Sequence, residues 1–96
     1  MSRINNTIKT EGSTTTILIT KNDDQFYLKE VIIDTEDLPK LGKCYYKSPG
    51  YAWTDRRNLA HLITGHTSNM GTVIDHINGN KLDNRKQNLR VLSQAD

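Results

Sequence analysis

Between Val73 and Ser93 the chain reads VIDHINGNKLDNRKQNLRVLS. Two short apolar runs are separated by an Asn-rich loop broken by one glycine. Neither run is long enough for anything but a short strand, and the loop between them is all turn chemistry. The pattern predicts a strand over 73–77 entering the turn Asn78-Gly79-Asn80. Leu82 anchors the loop. Asp83 or Asn84 caps a single helical turn through Gln87, and 90–92 forms a second strand. Ser93 is a good N-cap for a helix starting at Gln94. The order is therefore strand, long polar loop, strand, helix.

Asp75 and His76 stand side by side at the end of the first run. A carboxylate is a hard oxygen ligand, and a histidine ordinarily titrates near neutral pH. Together, before a polar loop, they suit metal-assisted attack on a phosphodiester. A surface ion pair or a capped turn is the plainer use of the same two residues.

Upstream, residues 1–13 are rich in Asn, Thr, Ser, Lys and Gly and read as a flexible arm. Thr14–Thr20 (TTTILIT) is a β-branched strand, 21–25 (KNDDQ) a turn, and 26–33 a second strand of one hairpin. Asp34–Asp37 reads as a capped helix start, with Leu38 and Leu41 facing a core and Gly42 ending it. Residues 44–47 and 51–54 straddle Ser48-Pro49-Gly50 as a second hairpin. A helix from Arg56 to about Thr64 follows, capped by Asp55 and ended by Gly65, with Leu59, Leu62 and Ile63 as its apolar stripe. The fold class is α+β: small antiparallel β-hairpins with short helices. Three regions follow: an arm over 1–13, a β-rich module over 14–66, and the strand-loop-strand segment over 67–96.

A composition of 34% hydrophobic and 25% charged residues is lean for a domain of this size, so a metal or a partner is expected to contribute to stability. A net charge of +2 is a weak pointer to nucleic acid. Acids and bases balance over 1–48. In the second half Arg56, Arg57, Lys81, Arg85, Lys86 and Arg90 outnumber the acids, so bases flank the Asp75–His76 segment. A solvated surface of mixed charge is the alternative. The single cysteine, Cys44, allows no intramolecular disulfide and reads as a buried small hydrophobe. No apolar run nears the roughly 18 residues of a membrane span, and Met1–Gly12 is too polar for a signal peptide. A soluble cytoplasmic chain, monomer or dimer, is the expectation. Tyr45, Tyr46, Tyr51 and Trp53 read as a packed hairpin face, with stacking on nucleobases as their other use.

The residues V-I-D-H-I-N-G-N-K-L-D-N-R and N-L-R-V-L-S resemble the HNH endonuclease family, specifically its phage and homing-endonuclease branch with a ββα-metal finger. The upstream stretch VIIDTEDLPKLGKCYYKSPGYAW, followed by NLAHLITGH, is similar to the β-rich, DNA-contacting region that precedes the finger in such proteins. The resemblance implies that Asp75 binds a divalent metal, Zn²⁺ or Mg²⁺/Mn²⁺, and that His76 is the general base. It implies that Asn88 holds the His76 ring by a hydrogen bond. His61 and His66 are further candidate metal ligands; Ala60 stands where relatives usually carry His, with His61 next to it. The family's third motif residue falls one position past Asp96, so the finger reads as incomplete. That departure implies an HNH-derived metal-binding protein of phage type, catalytically incomplete, in the cytoplasm of an infected bacterium. It would act by binding a host nuclease, another protein, or nucleic acid. A phage inhibitor of host defence, such as an anti-CRISPR protein, is one example. The alternative is an active divalent-metal-dependent HNH endonuclease or nickase acting on DNA.

Overall fold

The structure is a computed structural model and describes residues 3–66 and 71–93. Its strands form three small antiparallel sheets. The first holds β1 (Ile4–Glu11), β2 (Thr14–Lys21) and β3 (Asp24–Asp34) in that order. The second holds β4 (Cys44–Lys47), β5 (Tyr51–Thr54) and the two-residue β6 (Arg57–Asn58). The helix α1 (Leu59–Thr64) follows, and then β7 (Thr72–His76) pairs with β8 (Leu89–Ser93). The class is α+β, mostly antiparallel strand with few short helices. Among the described residues no helix is long and apolar enough to cross a membrane.

Period-two alternation builds the core. Ile17 and Ile19 of β2 and Val31 and Ile33 of β3 point to one face and are fully buried. Cys44, Ala52, Leu59 and Ile63 close over them from the second sheet and α1. Leu82 and Leu89 reach the same cluster, so the polar segment is docked on the core by apolar side chains at either end. Burial and the nearby Asp55 carboxylate push the Cys44 thiol up to about 11, as a sulfur enclosed in hydrocarbon requires.

Three expectations are corrected. Residues 4–11, read as part of an arm, form a full strand in register with β2, from Ile4 opposite Lys21 to Glu11 opposite Thr14. Backbone pairing holds it, and Asn6 staples it to the second sheet. The Asn6 amide accepts from Cys44 N at 2.7 Å and donates to Cys44 O at 2.9 Å. The segment after Asp34 is a 3-10 helix over Thr35–Lys40, and Asp34 makes no capping bond. The helix expected from Arg56 begins three residues later. Asp55 and Arg56 take left-handed φ values of 46° and 66° to turn β5 into β6. Asn58, not Asp55, is the cap, accepting from Ala60 N at 2.9 Å. The helix expected from Gln94 lies outside the described residues.

Candidate active site

β7 delivers His76 at its last position, and a network of amides then fixes the loop. Gly79 N donates to His76 O at 2.8 Å, with Gly79 at φ 79°, a conformation a side chain would strain. Two Asx turns follow: Asn78 Oδ1 accepts from Asn80 N at 2.8 Å, and Asn80 Oδ1 accepts from Leu82 N at 3.0 Å. Asn88 joins the start of the loop to its end. Its Oδ1 accepts from Asn78 N at 3.0 Å; its Nδ2 donates to Asn78 Oδ1 and to Asp83 O, both at 2.9 Å. Arg85 grips the buried Asp83 with a two-pronged fork at 2.9 and 2.7 Å. That hydrogen bonding holds the Asp83 carboxyl below its ordinary range against the opposing effect of burial.

The whole loop hangs on the edge of β3. Ile32 N donates to Leu82 O at 2.9 Å, and Asn84 N donates to Ile32 O at 2.7 Å. This places the buried Asn84 side chain beneath the His76 ring, where Nε2 and Asn84 Oδ1 are 3.0 Å apart. A carbonyl oxygen only accepts, so Nε2 carries a proton, and in the neutral ring Nδ1 is then the nitrogen with the lone pair. That tautomer suits a general base. The expected bond from Asn88 to the ring is absent from this arrangement, because both ends of the Asn88 amide are committed to Asn78 and Asp83. Asn84 does the holding instead, and its Nδ2 is buried with no partner. Spacing from His76 could not separate the two asparagines. Only the docking on Ile32 decides which reaches the ring.

Asp75 stands directly opposite Arg90 across the β7–β8 pair, and Arg90 Nη2 donates to its Oδ2 at 2.6 Å. Strand alternation turns neighbouring side chains to opposite faces. Even so, Asp75 and His76 both border a small cavity of about 160 Å³ at the strand's end, with Tyr51, Gly79 and Lys81. The side chains of Asp75 and Arg90 are 39% and 55% exposed. An ion pair this exposed is worth about 1 kcal/mol or less, a tie that a divalent cation can displace. Asp75 Oδ1 has no hydrogen bond among the described residues. The carboxylate therefore fits the role of a cation ligand.

The four candidate ligands do not gather. Among the described residues no three of the candidate ligands Asp75, His76, His61 and His66 approach within ligand distance of one another. His61 lies on α1, where burial and then the Arg57 charge lower its pKa. His66 follows α1 with a buried, unpartnered Nδ1. The carboxylates that do converge are Asp34, Glu36 and Asp37. An ammonium already sits among them: Lys86 Nζ is 2.6 Å from Asp37, 2.7 Å from Glu36 and 3.8 Å from Asp34. Lys40 adds a contact of 2.8 Å to Asp37. Burial alone would raise the Asp37 carboxyl; the hydrogen bonds from Lys40 and Lys86 override it and hold the group below its ordinary range. This cluster is a structural clamp between β3 and the polar loop.

The six basic residues expected to face phosphate divide into two sets. Arg85, Lys86 and Arg90 are paired with carboxylates. Arg56, Arg57 and Lys81 have no salt bridge among the described residues. Lys81 lies over the Tyr51 ring at 4.9 Å, and Lys47, which charge counting passed over, lies over the Trp53 ring at 4.5 Å. Tyr51 in turn faces His76, ring centroids 6.2 Å apart. A second, larger cleft of about 350 Å³ opens between this hairpin face, α1 and β7, with His76 on its border.

Residues 56–96 match the model of a family described as HNH endonuclease. No curated protein and no solved structure matches the chain.

Proposed function

We propose, from the match of residues 56–96 to the HNH endonuclease family model, that the chain hydrolyses phosphodiester bonds of DNA with a divalent cation. The observation that carries this reading is the His76 ring, held at a cavity edge by Asn84 in the tautomer a base needs. In this reading β7, the amide-locked loop and β8 serve as the ββ part of a metal finger. His76 Nδ1 takes a proton from the attacking water. Asn84 fixes the ring, and Asn88 keeps the loop that carries Asn84 in shape. Asp75 would hold the cation, which when bound polarises the phosphate and stabilises the leaving oxygen. Lys81, on the same rim, meets the phosphate charge.

One observation favours a second reading, in which the scaffold only binds a protein or a nucleic acid: Arg90 already neutralises Asp75. Incubation of supercoiled plasmid with the protein in Mg²⁺ or Mn²⁺, against an EDTA control, separates the two. Cation-dependent nicking that is reduced in Asp75→Asn supports the nuclease. Unchanged plasmid in every condition, with the protein folded, supports the binding scaffold.

A further inference from the structure

The cleft beside His76 has features that hydrolysis does not require. Its hairpin wall is aromatic, from Tyr51 and Trp53; Pro49, Ala60, Val73 and Ile74 make up the apolar remainder. Among the described residues no carboxylate borders it. Its volume of about 350 Å³ lies within the range of small-molecule sites. The two lysines at its aromatic rings, Lys47 and Lys81, have no salt bridge among the described residues and rest only on ring faces. A cation–π contact at an exposed site is weak, so either ammonium can turn to a phosphate while the ring it leaves takes a flat ligand. A largely apolar slot, with no carboxylate among the described residues and with flanking cations, is complementary to a nucleobase on its sugar-phosphate chain. His76 borders both this cleft and the smaller cavity with Asp75. A base in the cleft therefore sets its own backbone beside the reacting groups.

We propose that this cleft takes an unpaired base of the DNA, so that the chain prefers single-stranded or locally opened DNA to closed duplex. The inference rests on the reading of the chain as a DNA nuclease. In a closed duplex the bases are stacked and paired, and entry to a side pocket requires one to leave the stack. Base–aromatic stacking depends little on sequence, since every base has a π-face. The preference is thus for strand state, with weak sequence choice.

Trp53 is the only tryptophan and sits in the cleft wall, so the protein carries its own reporter. Its emission is titrated in EDTA, where no cleavage proceeds, with three probes of equal length. These are an oligothymidylate, a duplex, and a strand of abasic sites with the same phosphates. The proposal predicts quenching by the oligothymidylate at a concentration roughly fivefold or more below the duplex, and binding of the abasic strand without quenching. Tyr51→Leu, its fold checked by circular dichroism, should weaken oligothymidylate binding by a similar factor and leave the abasic strand unaffected. Duplex binding as tight as single-strand binding, with the same change in Trp53 emission, overturns the proposal. So does single-strand binding that leaves Trp53 unmoved. Nicking of duplex plasmid without single-strand preference removes this inference alone; absence of binding to any probe removes the DNA reading with it.

Discussion

Asn88→Ala and Asn84→Ala should have opposite consequences, although the two asparagines lie four positions apart and both are buried. Asn88 makes three hydrogen bonds, to Asn78 N, Asn78 Oδ1 and Asp83 O. Truncation leaves those partners inside a loop that has few alternatives. At about 1 kcal/mol net per bond, with more where a partner stays dry, the loss is about 2–4 kcal/mol. For a domain of this size each kcal/mol moves the melting temperature by about 4–8 °C, so Asn88→Ala should melt roughly 10–25 °C below the parent. Asn84→Ala loses one side-chain bond, to His76, and also removes the unpartnered Nδ2; its backbone bond to Ile32 O survives. Its cost should stay below about 1.5 kcal/mol, while the His76 ring loses the group that fixes its proton. Thermal unfolding by far-ultraviolet circular dichroism reads both variants, and nitrogen chemical shifts of the His76 ring report its tautomer. If Asn84→Ala melts as early as Asn88→Ala, or if Asn88→Ala shifts by less than about 5 °C, the division of labour between the two amides is wrong.

Other outcomes follow from the charge arrangement. Asp37 and Asp83 both have carboxyls held below the ordinary 3.8, so the stability they contribute is full above that value and is lost as pH falls through their lower folded values. Urea midpoints should hold steady near neutrality and drop in acid, and Lys86→Met should flatten part of that drop; a profile unchanged by Lys86→Met contradicts the clamp. Cys44, buried and with its thiol pushed up to about 11, should react with a disulfide reagent at pH 8 only as fast as the chain unfolds. Rapid labelling of the folded protein contradicts that burial. Arg90→Gln should change the melting temperature by only a few degrees, because the pair it breaks is exposed. The same variant should bind Mn²⁺ more tightly by calorimetry, and unchanged or weaker binding argues against Asp75 as the ligand.

Much of this fold is legible in the sequence where period two and turn chemistry coincide. The β2–β3 hairpin, the β4–β5 hairpin and the β7–loop–β8 segment all announce themselves through alternating β-branched or aromatic residues bounded by Asn, Asp, Gly or Pro. β1 does not, because INNTIKTE is held by backbone pairing to β2 rather than by an apolar face. The start of α1 was displaced because Asp55 and Arg56 adopt left-handed backbone, which neither residue type signals. In the candidate site, residue chemistry alone singles out His76. It does not single out the partners of its loop. Lys86 meets Asp37 from 49 positions away, and Asn84 reaches the ring only because Ile32 positions its backbone. Those are tertiary facts with no local pattern. For the same reason a tally of basic residues overstated the surface open to phosphate: three of the six are matched to acids by the fold.

The most direct test compares plasmid nicking by the parent protein with nicking by His76→Ala, in Mn²⁺ and at matched folding. His76 is half-buried and makes one side-chain hydrogen bond, so the variant should fold. Loss of the base should slow nicking by about 10²-fold or more. Equal rates for parent and variant would show that cleavage does not run through this imidazole.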